Sequence, residues 1–215
     1  MQIAAGPYSA RLVLRSLLDE LHALTDAGKG RAFERLCRWY LESAPEYRPL
    51  IRRVWLWNEW PGRWGADAGI DLIAETKSGE VWAVQAKAYS PSYTVKKADV
   101  DSFLSESNRP EIDYRLLIAT TDGLGANAAR TLHAQDKPVG VKLLSQLRAE
   151  EVAWPETLRH LRPRRPERKR PREHQREAIR DVVRGLRDRD RGQLLMACGT
   201  GKTLISLGSI FTHAR

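Results

Sequence analysis

A strand–turn–strand segment, residues 70–87, limits the folds open to this chain more than any other part of it. Its two arms are rich in apolar residues, and the Lys-Ser-Gly-Glu sequence at 77–80 between them is typical of a hairpin turn. Asp71 lies at the start of the first arm, while Gln85 and Lys87 end the second. Two polar side chains on one face of an apolar strand need a partner, so we expect a functional site at this end of the hairpin.

Apolar residues recur at helical spacing in two segments before this hairpin, and alternating strand-like and helix-like segments follow it. The predicted elements are helices at 12–24 and 33–41, strands at 51–57, 70–76 and 81–87, a helix at 96–106, a strand at 115–120, a helix at 124–133 and a strand at 139–144. This order predicts an α/β fold in which helices flank a mixed β-sheet.

A basic, proline-rich segment separates this domain from the rest of the chain. Residues 162–172 contain three prolines and seven basic residues against one acid, which is 7 − 1 = +6 of the net charge of +9. Proline disfavours helix and sheet, so we predict a domain at 1–161, a linker at 162–172 and a second unit at 173–215. The charge run fits a solvated linker and a contact to a polyanion equally well.

The composition excludes several classes of protein. Two cysteines, Cys37 and Cys198, lie far apart without a metal-binding or disulfide spacing, which favours a reducing compartment. No segment reaches the roughly 18 apolar residues of a membrane span, and residues 1–11 do not resemble a signal peptide. We therefore expect a cytoplasmic protein with no membrane partner.

The residues at the end of the hairpin suit metal-dependent hydrolysis of a phosphodiester. That reaction needs carboxylates to hold divalent cations and a positive group to stabilise the phosphate or orient the attacking water. Asp71, Gln85 and Lys87 supply such groups. Asp67 is either a further metal contact or a turn residue. Taken singly, each of these residues also fits an ordinary turn or surface position.

The register of the hairpin decides whether these residues can act together. A two-residue turn at Ser78-Gly79 would pair Asp71 with Ala86 and direct its side chain away from Lys87. We therefore predict a bulge, an odd-length turn or a bend at the strand start within 70–87.

These motifs resemble the Mrr-like branch of the PD-(D/E)xK nucleases, which have a helical Glu, then GxD at a strand start, then QxK. The matching residues are Glu34, Gly69-Ile70-Asp71 and Gln85-Ala86-Lys87. The resemblance implies a restriction-endonuclease-like fold in which Asp71, Glu34 and the Ala86 carbonyl bind Mg²⁺ or Mn²⁺. It also implies that Gln85 replaces the usual acid and that Lys87 orients the nucleophile. The missing negative charge predicts modest affinity for the metal.

Double-stranded DNA is the partner that this resemblance implies, and Arg63, Trp64, Lys96 and Lys97 are the predicted contacts. Arginine and tryptophan alternate between residues 52 and 64, a pattern that can grip a DNA backbone. Core packing is the favoured interpretation for Trp55 and Trp57. Thr120 and Thr121 are further candidates for the phosphate path.

A phosphate-binding loop occupies the second unit between a predicted strand at 192–197 and a predicted helix at 201–213. Its residues resemble the Walker A motif of RecA-like superfamily 2 helicase motors, apart from Met196 at the first position. The predicted ATP-binding residues are Gly199, Thr200, Gly201, Lys202 and Thr203 in this loop and Gln175 in a Q-like motif on a helix at 172–187.

The sequence contains neither a Walker B segment nor a second motor lobe after this loop, so we expect the ATPase to be incomplete in this chain. A nuclease followed by such a motor resembles the N-terminus of single-chain Type I (Type ISP) restriction enzymes. That resemblance implies a prokaryotic source and ATP-Mg²⁺ as the cofactor of a full-length motor. It also implies a methyltransferase and a target-recognition domain downstream.

The function that these features predict is a metal-dependent DNA endonuclease domain joined to a DNA translocase. Two alternatives stay open. One is a non-catalytic module that holds duplex DNA for the motor, and the other is a nucleotide-regulated interaction or signalling ATPase.

Overall fold

The computed structural model describes residues 7–65, 69–159, 161 and 173–188. The chain divides into two units, Met1–Arg165 and Pro166–Arg215. The division falls inside the predicted linker 162–172, whose own structure lies outside the described residues. The domain boundaries drawn from the sequence therefore stay predictions.

The first unit follows the predicted order of elements closely. Its helices are α1 (Pro7–His22), α2 (Asp26–Ser43), α3 (Ala98–Glu106), α4 (Ala126–His133) and α5 (Leu144–Ala149). Its strands are β1 (Ile51–Leu56), β2 (Leu72–Thr76), β3 (Val81–Lys87), β4 (Thr94–Val95), β5 (Tyr114–Ala119), β6 (Gly123–Leu124) and β7 (Val139–Lys142). All nine predicted elements are confirmed, with bounds that differ by up to seven residues, the largest difference being at the start of α2. The short elements β4, β6 and α5 were not predicted.

Five strands form one mixed sheet in the order β1-β2-β3-β5-β7. The first three strands pair antiparallel, and β3, β5 and β7 pair parallel. The strands β4 and β6 form a separate parallel pair. In the main sheet, β1, β3, β5 and β7 run in one direction, so their carboxyl ends share one edge with the start of β2. We call this the carboxyl edge.

Two hydrophobic cores cover the two faces of the main sheet. Side chains of α1, α2 and α5 pack on one face against residues such as Leu72, Val84 and Ile118. Side chains of α3 and α4 pack on the other face against residues such as Ile73 and Leu117. The alternation of side chains along each strand assigns its residues to the two cores in turn. The predicted mixed sheet flanked by helices is confirmed.

The helix α2 begins with a capped first turn. The Thr25 hydroxyl accepts a hydrogen bond from the Gly28 N–H, and Asp26 places a negative charge in the first turn. Buried side chains then recur at helical spacing through Phe33, Leu36 and Tyr40. The helix therefore turns one apolar stripe to the sheet and leaves a polar stripe in solvent.

The second unit contains α6 (Glu173–Asp188), which confirms the helix predicted there. Gln175 lies in its first turn and is 7% exposed. The predicted strand at 192–197, the helix at 201–213 and the loop residues Gly199, Thr200, Gly201, Lys202 and Thr203 lie outside the described residues. Among the described helices, none is long and apolar enough to cross a membrane.

Candidate active site

The β2–β3 hairpin has an odd-length turn, which confirms the prediction about its register. Thr76 pairs with Glu80 through a 2.9 Å bond from the Thr76 N–H to the Glu80 carbonyl, so three residues form the turn. Gly79 ends the turn at φ +94°, a conformation that side-chain-bearing residues rarely adopt. Because Leu72 pairs with Val84, the same register places Asp71 opposite Gln85.

The backbone also bends at Asp71, where the first strand of the hairpin starts. The Asp71 N–H donates to the Val84 carbonyl at 3.0 Å on one side, while its carbonyl accepts from the Trp57 N–H at 2.8 Å on the other. The N–H and C=O groups of a regular strand residue point to the same neighbour. The bend brings the carboxylate to β3, where Oδ2 accepts from the Ala86 N–H at 2.7 Å. This carboxylate occupies the ladder position that a backbone carbonyl would otherwise fill.

Gln85 is the most unusual side chain of the site, because it is buried and only half satisfied. It is 3% exposed, and its Nε2 donates to the Gly69 carbonyl at 3.1 Å. Its Oε1 is buried without a hydrogen bond from any residue that the structure describes. Leaving a buried acceptor unsatisfied costs about 1–3 kcal/mol, so this oxygen fits a ligand of a bound cation.

Gly69 is required where the chain enters the site. Its φ is +60°, and a Cβ at this position would lie 2.6 Å from the Ser102 hydroxyl on α3. Only glycine combines this conformation with such close packing. The glycine of the GxD motif therefore holds the carbonyl that accepts from Gln85.

Ala86 and Lys87 direct their backbones to opposite sides of β3. The Ala86 N–H donates to Asp71, so its carbonyl also points towards that neighbour, beyond the start of β2. The Lys87 carbonyl accepts from the Thr120 N–H at 3.0 Å on the β5 side. The half-buried Lys87 shares the strand face of Gln85 by the two-residue period. A carbonyl and a lysine are thus available beside Asp71.

Glu34 approaches this place from α2. Two contacts define the direction of that helix: Arg38 bonds Glu59 at 2.8 Å just after β1, and the Tyr47 ring packs on Trp82 at the start of β3. The N-terminal half of α2 therefore lies at the carboxyl edge. Glu34 lies one helical turn before the buried Cys37. Burial raises the pKa of the Cys37 thiol well above its usual range, and the charges of Asp71 and Glu34 raise it further.

The oxygen-bearing groups of this region are of the kind that suits a hard divalent cation. The set comprises the carboxylates of Asp71 and Glu34, the Gln85 Oε1 and the Ala86 carbonyl, and oxygen ligands of this kind are those that Mg²⁺ and Mn²⁺ prefer. No group of three or more His, Cys, Asp or Glu side chains forms a metal cluster within the described ranges. Any cation would therefore depend on the amide and backbone oxygens as well as on carboxylates.

A tightly held loop follows Lys87, and its tyrosines were not anticipated from the sequence. The Tyr89 and Tyr93 rings pack 4.2 Å apart, and the Tyr93 hydroxyl donates to Asp99 at 2.9 Å. The spacing of Tyr89 two residues after Lys87, on the same strand face, was the available signal. The pKa of Asp99 lies below its usual value. Burial is the largest single influence and acts to raise this pKa, but the other causes, which include the charge of Lys87, together lower it.

Thr120 and Thr121 were wrongly expected to line a phosphate path. Both are 0% exposed. The Thr120 hydroxyl donates to the Tyr89 carbonyl at 2.6 Å, and the Thr121 hydroxyl donates to the carbonyls of Pro91 and Tyr93. They hold the loop after Lys87 in place and are not available to a ligand.

The four predicted DNA contacts separate into two groups at the two ends of α3. Lys96 and Lys97 are exposed at its start, at the carboxyl edge, and Lys97 bonds Asp101 at 2.6 Å. Arg63 is exposed beside Trp64, whose indole N–H donates to Glu106 at the far end of α3. Helix α3 has nine residues, about 13 Å.

The Trp64 ring is engaged by the protein. It packs against Trp57 at 4.9 Å and Trp60 at 5.8 Å, and the Arg109 guanidinium lies 4.3 Å from its centre. Its role in stacking on DNA bases stays a prediction. Trp57 is buried, which confirms core packing, and Trp55 is half-buried under Arg53. Asp67 lies outside the described residues.

This fold and this arrangement of groups define a nuclease module of the restriction-endonuclease-like class, and comparisons with known proteins agree. A family described as restriction endonuclease matches residues 42–162, more than half of the chain. The chain belongs to this restriction endonuclease family. Residues 168–215 match the res subunit of Type III restriction enzymes, which identifies a helicase-type fragment after the nuclease module.

The chain is also similar to solved structures. The ATP-dependent Type ISP restriction-modification enzyme LlaBIII bound to DNA is 33% identical, with a TM-score of 0.60 over 91% of this chain and 13% of that one. The chain thus spans a small part of the length of that enzyme. MspJI restriction endonuclease in complex with a 27-mer oligonucleotide is 18% identical, with a TM-score of 0.41 over 69% of this chain and 33% of that one, which is too weak to support a conclusion. No curated protein sequence matches the chain.

Proposed function

We propose that residues 1–161 are a divalent-metal-dependent endonuclease domain that hydrolyses phosphodiester bonds of double-stranded DNA. The observation that carries the proposal is the buried Gln85 Oε1, which accepts no hydrogen bond within the described part of the chain and lies on the strand that carries Lys87. A buried polar atom without a protein partner is ordinarily satisfied by a bound water molecule or an ion. Membership of the restriction endonuclease family supports the same conclusion.

In this proposal Asp71, Glu34, Gln85 and the Ala86 carbonyl hold Mg²⁺ or Mn²⁺. The bound cation would polarise the phosphate and lower the pKa of a water molecule. The Ala86 N–H keeps the Asp71 carboxylate in place through its 2.7 Å bond, so the carboxylate is oriented before a cation binds. Preorganised groups lose less freedom when the ligand binds, which is the advantage of this contact.

Lys87 acts on the reacting atoms. Its ammonium group donates hydrogen bonds to the attacking water and to a non-bridging phosphate oxygen, and so stabilises the charge that develops in the transition state. Hydrolysis joins the water oxygen to phosphorus and breaks one P–O ester bond. The water loses its proton to solvent, and the leaving oxygen takes one up.

The second unit is proposed to begin the motor of a longer DNA translocase, with ATP-Mg²⁺ as its cofactor. Gln175 would contact adenine, and the loop at Gly199–Thr203 would bind the phosphates. The match to the Type III res subunit and the likeness to a Type ISP enzyme support this assignment. A methyltransferase and a target-recognition domain downstream belong to the same proposal.

The test is cleavage of plasmid DNA by this chain with Mg²⁺, with Mn²⁺ and with a chelator, beside Asp71→Ala and Lys87→Ala. Both variants should lose cleavage while binding duplex DNA with nearly unchanged affinity, because these groups act mainly in the transition state. Undiminished nicking by both variants, with contaminating nuclease excluded, would contradict the site. The replacement of an acid by Gln85 favours one alternative, a non-catalytic DNA-binding module, and wild-type protein that binds DNA without cleaving it would support that alternative.

A further inference from the structure

Two arginines on the solvent side of α2 lie beside the candidate active site. Arg31 and Arg35 are exposed and four residues apart, so they share one face of the helix. The other two cations in this stretch are engaged: Lys29 bonds Asp26 at 3.0 Å, and Arg38 contacts Glu42 and Glu59. Arg31 and Arg35 form no ion pair within 4 Å in the regions that the structure describes.

Their position is set by the direction of α2. The Arg38–Glu59 contact places the middle of the helix near the carboxyl end of β1, and Arg31 and Arg35 precede it. Both guanidinium groups lie close enough to Glu34 to oppose the rise that burial causes in the pKa of its carboxyl. The two arginines thus flank a proposed metal ligand at the carboxyl edge.

Helix stability does not account for this pair. Like charges four residues apart weaken a helix, and the charge of Glu34 offsets this without forming an ion pair with either arginine in the described residues. The buried stripe through Phe33, Leu36 and Tyr40 already holds α2 to the sheet. Two guanidinium groups without an ion pair in the described residues, next to the proposed nuclease site, suit planar, bidentate binding of phosphate.

We propose that Arg31 and Arg35 bind two backbone phosphates of the DNA strand that enters the active site. The inference rests on the proposed nuclease function and adds a substrate surface to it. Four helical residues rise about 6 Å, and nucleotides of one strand rise about 3.4 Å each. The pair therefore matches phosphates one or two nucleotides apart. Lys96 lies on the opposite side of the hairpin end, at the start of α3. The strand would pass between the two helices.

The experiment measures duplex DNA binding by the full 215-residue chain as a function of salt, in chelator so that cleavage does not interfere. Arg31→Gln and Arg35→Gln should each lower the log–log salt slope by about 0.9, and the double variant by about 1.8. Between about 50 and 200 mM salt, the double variant should therefore lose roughly twelvefold less affinity than the wild type. Its KM for cleavage should rise with metal present.

Arg48→Gln is the matched control. Arg48 is an exposed arginine just beyond the other end of α2, and its replacement removes the same charge. Its salt slope should equal that of the wild type. Slopes of the Arg31 and Arg35 variants equal to that of Arg48→Gln would overturn the proposal, even if cleavage is normal. If the Arg31 and Arg35 variants have lower salt slopes but the wild type does not cleave DNA with metal present, the result supports the DNA-binding surface and counts against the proposed nuclease function. Equal thermal melting of the variants and the wild type excludes misfolding.

Discussion

Replacing Gln85 by glutamate restores the acid that nucleases of this type ordinarily have. The substitution changes only the amide nitrogen of the side chain to oxygen, and so tests whether this side chain faces a cation site. The side chain is 3% exposed, and Oε1 has no partner in the described chain. A carboxylate there would be buried beside Asp71, whose side chain bonds the next residue of the strand. Without metal, burial and the like charge both raise the pKa of the new carboxyl.

The magnitude follows from that pKa. Glutamate in an unfolded chain has a pKa of about 4.3, and a rise of about 2.5 units lies within the range for buried carboxyls. Each unit corresponds to about 1.4 kcal/mol, so Gln85→Glu should lose roughly 3–4 kcal/mol of stability near pH 7.5. Because the folded pKa is raised, this loss is absent below about pH 4.3, grows up to about pH 7 and stays constant above that.

Thermal melting in chelator at about pH 5 and about pH 7.5 measures the effect. A loss of 3–4 kcal/mol corresponds to a shift of roughly 10 °C for a domain of this size. Mg²⁺ should restore stability to the variant more than to the wild type, because the added charge tightens cation binding. At pH 5 the protonated carboxyl can donate to the Gly69 carbonyl as the Gln85 amide does.

Gln146→Glu is the matched control. Gln146 is exposed on α5, and its Oε1 accepts from the Leu143 N–H at 2.7 Å, a contact that a carboxylate keeps. It should change stability by less than about 0.5 kcal/mol at either pH. If Gln85→Glu melts like the wild type at pH 7.5 and gains nothing from Mg²⁺, then Oε1 does not face a cation site, and the central observation behind the proposed function is wrong.

Three further predictions concern other parts of the chain. Deleting residues 162–172 should leave the nuclease domain folded. It should lower the log–log salt slope of DNA binding by about 0.9 for each phosphate that the segment neutralises. An unchanged slope in a filter-binding titration would show that the segment is a linker only. Gly79→Ala should destabilise the domain by about 1–2 kcal/mol because Gly79 has a positive φ. Gly30→Ala, at an open position within α2, should stabilise it by about 0.5–1 kcal/mol. Urea unfolding that ranks the two variants in the reverse order would refute the assigned turn. Lys202→Ala should leave cleavage by this chain unchanged but abolish ATP hydrolysis in a longer protein with a complete motor, as a phosphate-release assay would measure.

The order of the main elements was predictable because it depends on local patterns. The spacing of apolar residues distinguishes helices from strands wherever the pattern is long, and the nine longer elements are confirmed. The elements that escaped prediction, β4, β6 and α5, have two to six residues. Segments this short show no complete period, and their partners supply most of their stability.

The β2–β3 hairpin shows which features the sequence predicts and which only the tertiary structure determines. Sequence alone required that a site containing Asp71 and Lys87 have an irregular register, since side chains alternate with a period of two. It did not determine which irregularity is used. The structure contains both a three-residue turn and a bend at Asp71. The bend depends on bonds to Val84 and Ala86 on β3 and to Trp57 just after β1.

Burial is the other property that the sequence could not supply. Thr120 and Thr121 resemble ligand-binding residues at a strand end, yet the loop after Lys87 covers them completely and uses their hydroxyl groups. The packing of Trp57, Trp60 and Arg109 on the Trp64 ring was likewise not readable from the sequence. A residue's type records which contacts it can make, and only the packing of distant segments decides which of them it does make.

The sequence by itself determined the class of fold, the hairpin and the residue types that suit a metal-dependent nuclease, because these follow from periodicity and from the chemistry of side chains. The tertiary structure decided that Asp71 bonds β3 and that Gln85 keeps a buried oxygen without a partner in the described chain. It also decided that the N-terminal half of α2, which carries Glu34, lies at the same edge. These depend on how strands and helices far apart in the chain pack together, which local propensity does not encode.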